Sequence, residues 1–366
     1  MPYKKLIRIS AAGAGKTYQI CHEAISEANE KRALLVTYTN KGVQSIKHEL
    51  AKMNDGVLPA KVDVLSWYQF LLREMIKPYQ TIYYKINQIR SIDFSEYSGI
   101  NFRSGNSRFI NDHSDVLSNE ASKLALKINQ DTKGLSIKRL ADIYSHIFFD
   151  EFQDLSGYDL NLIEAFIDYP DISITMVGDG KQAIFSTNRN SKNKRFQKNN
   201  ICRFFYDDYR NGRITIERNP ASRRFNSEIC DFANKVYPDS NPITTSMSET
   251  TNHDGVYFIK KEDIEKYCAI FQPVILRYDQ RTDTMGWRAI NYGECKGMTF
   301  DRSLIFPNQT FLKFLNKGIP LKAPEKYYVA VTRARYSICF VVEEIPRYMK
   351  SKKEKIMGMD VWHVYF

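Results

Sequence analysis

The feature that most constrains the fold is the run SAAGAGKT at Ser10–Thr17, which lies between an apolar segment and a helical pattern. Lys5–Ser10 has the short apolar pattern of a strand, and Tyr18–Asn29 has the spacing of a helix. Small residues let the backbone N–H groups of such a loop turn onto phosphate oxygens at the helix N-terminus. The run therefore predicts a nucleotide phosphate-binding loop that follows a strand of an α/β sheet.

Each residue of this loop has an expected role. Gly13 and Gly15 belong to the small residues that let the backbone approach the phosphates. Lys16 stands where a lysine reaches the β and γ phosphates, and Thr17 stands where a hydroxyl holds Mg²⁺. Ser10 replaces the first glycine of the general pattern, so the match departs from it at one position.

A second candidate site follows the apolar segment that ends in Asp150 and Glu151. In α/β sheets, ligands bind outside the carboxyl ends of parallel strands, which is where two carboxylates at a strand end emerge. We predict that Asp150 holds Mg²⁺ through its hydration shell and that Glu151 accepts a proton from the attacking water.

Short runs of Ile, Val and Leu alternate with longer helical patterns, which predicts an α/β fold with mostly parallel sheets flanked by helices. The predicted strands are Lys5–Ser10, Ala33–Thr37, Lys61–Leu65, Ile143–Phe149, Ile172–Val177, Ile214–Glu217, Val256–Lys260, Val274–Arg277, Arg302–Phe306 and Ser337–Val342. We predict two domains, 1–213 and 214–366, with a small helical insertion at about 74–139 in the first.

Composition narrows the classes of protein. The 366 residues are 43% hydrophobic, which excludes disordered and fibrous chains, and no apolar run approaches the about 18 residues of a membrane span. Six scattered cysteines suggest neither a disulfide framework nor a zinc site, so we expect a cytoplasmic protein. The net charge of +11 favours a nucleic-acid partner, although a soluble basic protein would have the same composition.

The order of the motifs resembles the UvrD/Rep-like superfamily 1 DNA helicases, whose second motif reads D-E-x-Q-D, as residues 150–154 do here. The resemblance implies two RecA-like P-loop NTPase domains and places Gln153 in the nucleotide site. TYTNK at 37–41, SWYQF at 66–70 and VGDGKQAIF at 177–185 resemble further motifs of the first domain. By this resemblance the DNA-binding residues are Tyr38, Thr39, Asn40, Trp67, Tyr68 and Phe185.

Three motifs of the second domain follow in the order of the family. RFNSEI at 224–229, KGMTFD at 296–301 and YVAVTRAR at 328–335 are similar to its fourth, fifth and sixth motifs. The resemblance implies that Gln182 senses the γ phosphate, that Arg224 contacts phosphate and that Arg333 is an arginine finger.

The chain departs from the family in two respects. The upstream glutamine that recognises adenine has no evident counterpart, and Arg223 stands where an aromatic residue usually stacks on the base. The first insertion is reduced to about 74–139, and the large second insertion of the family has no counterpart in this sequence. The resemblance therefore predicts a compact form of the motor.

The resemblance implies an ATP-dependent, Mg²⁺-dependent translocase or helicase that moves 3′ to 5′ on single-stranded DNA or a tailed duplex. The alternative is an ATP-gated, DNA-sensing regulatory subunit that acts with a nuclease or another protein partner in anti-phage defence or repair. RNA also stays open as the substrate.

Two lysine-rich and arginine-rich segments are further candidates. Cations and aromatic residues between Arg189 and Tyr206 match the composition of a single-strand-binding surface, and a solvated loop is the alternative. Lys350, Lys352, Lys353 and Lys355 are interpreted as a solvated tail. None of the six histidines forms a pair at metal spacing.

Overall fold

The computed structural model describes residues 3–81, 88–95, 108–185, 187 and 192–366. The chain divides into two compact units. One contains Met1–Ile9 and Lys16–Arg218, and the other contains Ser10–Gly15 and Asn219–Phe366. Each unit is described by itself below.

A six-stranded sheet in the order β3-β2-β6-β7-β1-β8 forms the centre of the first unit. Its strands are β1 (Lys5–Ser10), β2 (Arg32–Thr37), β3 (Val62–Ser66), β6 (Tyr144–Asp150), β7 (Ser173–Gly178) and β8 (Thr215–Asn219). The pairs β1·β7, β7·β6, β6·β2 and β2·β3 are parallel. The fold prediction is confirmed for this unit, because the predicted apolar runs form the strands of a parallel sheet.

Both faces of this sheet are buried, as continuous apolar runs require. Leu34 and Val36 belong to one hydrophobic cluster, whereas Leu35 belongs to another with Phe148. The helices of the unit are α1 (Lys16–Glu27), α2 (Asn40–Met53), α3 (Trp67–Phe70), α4 (Ala121–Asp131), α5 (Leu135–Ile143), α6 (Tyr158–Asp168), α7 (Ile201–Phe204) and α8 (Tyr206–Arg210), with a π-helix at Leu71–Ile76.

The described part of the insertion at about 74–139 consists of helices and a small parallel sheet. Helices α4 and α5 belong to it, as do the short strands β4 (Ile92–Asp93) and β5 (Val116–Leu117). Leu124, Ala125 and Ile128 of α4 pack into the same hydrophobic cluster as the sheet. The insertion is therefore part of the core of the first unit.

A seven-stranded sheet in the order β13-β12-β14-β15-β11-β17-β16 forms the centre of the second unit. Its strands are β11 (Gly255–Lys260), β12 (Val274–Arg277), β13 (Ile290–Asn291), β14 (Phe300–Phe306), β15 (Ala334–Val342), β16 (Ser351–Ile356) and β17 (Met359–Val364). The first five strands in that order pair in parallel, whereas β17 is antiparallel to β11 and to β16. A small parallel pair joins β9 (Ala221–Ser222) and β10 (Thr244–Thr245).

The helices of the second unit are α9 (Ser227–Val236), α10 (Ile264–Phe271), α11 (Gln309–Lys317) and α12 (Glu325–Val331). The interpretation of the C-terminal lysines as a solvated tail is wrong, because Lys352, Lys353 and Lys355 lie on the edge strand β16. Lysines on an exposed edge strand discourage pairing with other chains. Within the described residues, no helix has the length and apolarity needed to cross a membrane.

Candidate nucleotide and nucleic-acid site

The phosphate-loop motif forms a turn between β1 and α1. Strand β1 ends at Ser10 and helix α1 begins at Lys16, so the loop lies directly before a helix N-terminus. Gly13 and Gly15 have φ angles of +75° and +80°, in the left-handed region that glycine adopts without strain. Backbone N–H groups at a helix N-terminus attract anions, so the loop has the construction that phosphate oxygens require.

Within the second unit, the loop backbone packs against residues 219–224. The N–H of Ala11 donates to the carbonyl of Asn219 at 2.9 Å, and the N–H of Arg223 donates to the carbonyl of Gly13 at 2.9 Å. A Cβ atom at Gly13 would overlap the Cβ of Arg224 and lie 2.7 Å from Ser222 Oγ. Only glycine therefore fits at position 13.

Two arginines of the second unit are joined through Thr332. Arg224 Nη1 donates to the carbonyl of Thr332 at 3.0 Å. Arg333 Nε donates to the carbonyl of Val329 at 3.1 Å, and its Nη1 donates to the carbonyl of Met298 at 3.3 Å. Arg333 is 1% exposed. The structure thus brings together the arginines of the fourth and sixth motifs, and Arg224 also lies against the phosphate loop.

A chain of hydrogen bonds joins the second and third motifs in the first unit. Asp150 is the last residue of β6, and Glu151 follows it with a φ angle of +56°. Gln153 Nε2 donates to Glu151 Oε2, and Gln153 Oε1 accepts from the N–H of Asp179 at 3.0 Å. Gln182 Nε2 donates to Asp179 Oδ2 at 2.9 Å. Glu151 is therefore linked to Gln182 through two intervening residues.

This chain depends on close packing at Gly178, the last residue of β7. A Cβ atom there would overlap Gln153 Oε1 and lie 2.7 Å from a ring carbon of Phe152. Gln153, Asp179 and Gln182 are all buried, so their hydrogen bonds are shielded from water. Gln153 therefore links the second motif to the third, and Asp179 is a linking residue that was not predicted from the sequence.

Magnesium ligation would fall to Thr17 and Asp150. Both residues are half-buried at the ends of elements, Thr17 in the first turn of α1 and Asp150 at the end of β6. Hydroxyl and carboxylate oxygens suit Mg²⁺, which keeps several waters and binds substrate phosphates. The structure brings together no metal-binding group of three or more His, Cys, Asp and Glu residues in the part of the chain it describes.

The thiol of Cys21, on α1, is unreactive. Burial, with smaller contributions from the charges of Asp150 and Glu49, raises the pKa of Cys21 to about 12. Thiolates are the reactive form of cysteine, so Cys21 stays protonated at neutral pH.

The candidate DNA-binding residues occupy different environments. Thr39 caps α2 by accepting the N–H of Gly42 at 3.0 Å, and Asn40 is exposed in the first turn of that helix. The rings of Tyr38 and Phe185 lie 6.2 Å apart between centroids, and Phe185 is 40% exposed. Tyr38 and Phe185 thus place an aromatic surface beside the third motif.

Tyr68 continues this aromatic surface into the insertion. Its hydroxyl donates to the carbonyl of Thr187, and burial raises its pKa. Its ring meets Phe94 edge to face, with 4.9 Å between the centroids and 85° between the planes. Phe94, which the sequence analysis missed, is 64% exposed.

Trp67 is a correction to the predicted DNA-binding set. It is 1% exposed and packs against Phe70 at 5.7 Å and Phe149 at 6.1 Å between ring centroids. A fully buried ring offers no face to a base, so Trp67 belongs to the hydrophobic core. Its neighbour Tyr68 is the member of the motif that lies nearer the surface.

Buried Asp159 connects the insertion to the loop after the third motif. Its carboxylate accepts from the hydroxyls of Ser122 and Thr187 and from the N–H of Ser156 at 3.0 Å. Burial raises the pKa of Asp159 above its ordinary value, although these hydrogen bonds oppose the increase. The same Thr187 supplies the carbonyl that binds Tyr68, so Asp159 helps position the aromatic surface.

The basic segment is exposed, but one of its aromatic residues is not. The side chains of Lys192, Lys194, Arg195 and Lys198 lie at the surface, whereas Arg189 lies outside the described residues. Phe205 is buried in the hydrophobic core, and the centroid of its ring lies 5.0 Å from that of Phe204. The prediction that Phe205 contributes to a single-strand surface is therefore wrong.

Comparison with protein families supports the motif assignment. Residues 68–200 match the family model of the UvrD/REP helicase N-terminal domain, a range that contains the second and third motifs. Within that range the chain is similar to the N-terminal domain of UvrD/REP helicases. No curated protein sequence matches the chain.

Two solved structures are similar to this chain. They are the crystal structure of Arterivirus nonstructural protein 10, a helicase, with a TM-score of 0.48, and a complex of that protein with DNA, with a TM-score of 0.47. Both are 14% identical, and each match covers 92% of this chain and 59% of the viral chain. The chain thus spans about three fifths of the length of these structures.

Proposed function

We propose that the chain is an ATP-dependent motor that moves 3′ to 5′ along single-stranded DNA, built from RecA-like domains at 1–213 and 214–366. The observation that carries the proposal is the buried hydrogen-bond chain from Glu151 through Gln153 and Asp179 to Gln182. Phe185 follows Gln182 by three residues. A movement of Glu151 would therefore be transmitted through this hydrogen-bond chain to the segment that carries Phe185.

The phosphate loop and residues of the first unit support the hydrolysis of ATP. The backbone of the phosphate loop receives the phosphates, with Lys16 contacting the β and γ phosphates at the start of α1. Glu151 takes the proton of the attacking water, and the amide of Gln153 orients its carboxylate. Mg²⁺, held by Thr17 and Asp150, would neutralise charge on the phosphates.

The second unit supports the stabilisation of negative charge. Arg224 lies against Gly13 of the phosphate loop, and the carbonyl of Thr332 connects it to the motif that contains Arg333. Guanidinium groups match the geometry of phosphate oxygens. We assign Arg224 to phosphate contact and Arg333 to the arginine finger.

The aromatic surface supports binding of single-stranded DNA. Exposed rings stack on bases of any sequence, which suits a protein that must move along a strand. Tyr38, Tyr68 and Phe185 lie beside the loop that ends the buried hydrogen-bond chain. Thr39 and Asn40, at the start of α2, contact the strand in this proposal.

Strand displacement under single-turnover conditions tests the direction and the output of the motor. Each base-pair step costs about 1.4 kcal/mol to break, and the reduced insertion leaves less surface to hold the duplex. We expect movement from a 3′ tail with weak displacement by the isolated chain. Displacement from a 5′ tail alone would contradict the proposed direction, and displacement only with an added nuclease partner would favour a regulatory subunit.

A further inference from the structure

The insertion contributes an exposed ring to the aromatic surface, which consists of Tyr38, Tyr68, Phe94 and Phe185. Phe94 and Phe185 are the more exposed rings, at 64% and 40%. Tyr68 contacts Phe94, Tyr38 contacts Phe185, and the hydroxyl of Tyr68 donates to the carbonyl of Thr187, two residues after Phe185. Each exposed phenylalanine therefore has a tyrosine against it, and Tyr68 is bonded to the segment that follows Phe185.

The backbone at Phe94 is held in place by hydrogen bonds. Strand β4 ends at Asp93, immediately before Phe94, and pairs with β5. Asp93 Oδ1 accepts from the N–H of Ser95 at 2.8 Å, and Asp93 Oδ2 accepts from Asn111 Nδ2 at 2.7 Å. Bonds on both sides of Phe94 thus fix the turn that presents its ring.

The exposure of Phe94 contrasts with the packing of its neighbour. Ile92 packs against the hydrophobic core, whereas Phe94 leaves about two thirds of its surface in water. Isolated exposed apolar residues are common on proteins. Phe94 differs because it stands on a fixed turn and meets Tyr68 in the edge-to-face geometry that stabilises aromatic pairs.

We propose that Phe94 stacks on a base of single-stranded DNA, so that the reduced insertion lengthens the DNA-binding surface beyond Phe185 and Tyr38. This inference rests on the proposed function, because it names a further contact for the same strand. A ring held on a rigid turn loses little conformational freedom when a base stacks on it. Phe94 is a binding residue in this proposal and takes no part in ATP hydrolysis.

Binding of a fluorescent single-stranded oligonucleotide to three variants tests the proposal. Phe94→Ala removes the ring and should weaken binding about 5- to 150-fold, the range expected when a stacking ring is removed. Phe94→Tyr keeps a ring and should bind within about twofold of the unaltered chain. Leu135→Ala is the matched control, because Leu135 is an exposed apolar residue of the same insertion.

The salt dependence of binding adds a second readout. Phe94→Ala removes no cation, so the slope of log affinity against log salt should equal that of the unaltered chain. Equal affinity of Phe94→Ala and the unaltered chain, with Phe185→Ala weakened, would overturn the role of Phe94 and leave the proposed function intact. Failure of the unaltered chain to bind any single strand would overturn both.

Discussion

In the first unit, side chains of the candidate site bond to one another and to the backbone N–H of Asp179. In the second unit, the two arginines donate to main-chain carbonyl oxygens, and Arg333 donates also to the hydroxyl of Thr332. Glu151 is oriented by the amide of Gln153, and Arg333 donates to the carbonyls of Val329 and Met298. Replacing one side chain therefore disturbs its partners in the first unit. In the second unit it removes a charge and leaves the carbonyl oxygens in place.

The comparison also distinguishes two kinds of variant. A change in the buried hydrogen-bond chain of the first unit tests geometry, because each side chain positions the next. A change at an arginine of the second unit tests charge, because the proposed role of the guanidinium is to neutralise negative charge in the transition state.

The largest effect is expected in the second unit at Arg333. Arginine fingers contribute about 10³- to 10⁵-fold to phosphoryl transfer, so Arg333→Ala should abolish measurable ATP hydrolysis. Arg335→Ala is the matched control, because Arg335 forms a partly exposed ion pair with Glu249 at 2.6 Å. Steady-state ATPase assays of both variants check the prediction. Hydrolysis by Arg333→Ala at the rate of the control would remove Arg333 from the mechanism.

In the first unit, Glu151→Gln should lower turnover by about 10²- to 10⁴-fold, the contribution of a general base. Nucleotide binding should persist, because the phosphate loop is unchanged. Glu164→Gln on α6 is the control, since Glu164 accepts a hydrogen bond from Asn161 at 3.3 Å and lies outside the buried chain. Single-turnover hydrolysis and nucleotide titration measure the two properties, and normal turnover would exclude Glu151 as the base.

Gly178→Ala should disturb the geometry of the first unit without removing a functional group. The new methyl group would overlap Gln153 Oε1, and misplacement of site residues by about 1 Å lowers rates on the order of 10²-fold. Gln153→Ala removes the atom that the methyl group meets. In a double-mutant cycle, the two losses of turnover should be less than additive. Strict additivity would mean that Gly178 and Gln153 act independently.

The smallest effect is expected on the salt dependence of DNA binding. Each neutralised phosphate contributes about 0.7 to the slope of log affinity against log salt for single strands. We expect a smaller slope when Gln replaces Lys192, Lys194, Arg195 and Lys198. The magnitude of the slope should fall by that amount for each lost contact between a cation and a phosphate. The control replaces Lys352, Lys353 and Lys355 on β16 with Gln. Equal slopes in the two variants would return the segment to the interpretation as a solvated loop.

The strands were the most predictable part of the fold. Runs such as Leu34–Val36 are apolar without interruption because both faces of a parallel sheet are buried, and that pattern is visible in the sequence. Strand β16 was missed because its lysines and glutamate leave it without an apolar face. Its pairing with β17 becomes evident only when the strands are placed side by side.

The candidate site was predictable where a motif fixes the local geometry. The residues next to the phosphate loop and next to the acidic strand end determine where these two features lie. The prediction for Trp67 is wrong, and Phe94 and Asp159 were not predicted at all. Burial and ring contacts depend on residues far away in the sequence, which a local pattern does not show. A sequence pattern does not show which of two adjacent aromatic residues enters the core.

In the proposed motor, ATP hydrolysis depends on single-stranded DNA. The most direct measurement is the steady-state ATPase rate of the purified chain with and without a single-stranded oligonucleotide, at concentrations where binding is shown by fluorescence anisotropy. The account predicts that bound DNA raises the rate and that Lys16→Ala, which no longer reaches the phosphates, shows no hydrolysis in either condition. A rate that is unchanged when DNA is bound would contradict the coupling of the two sites.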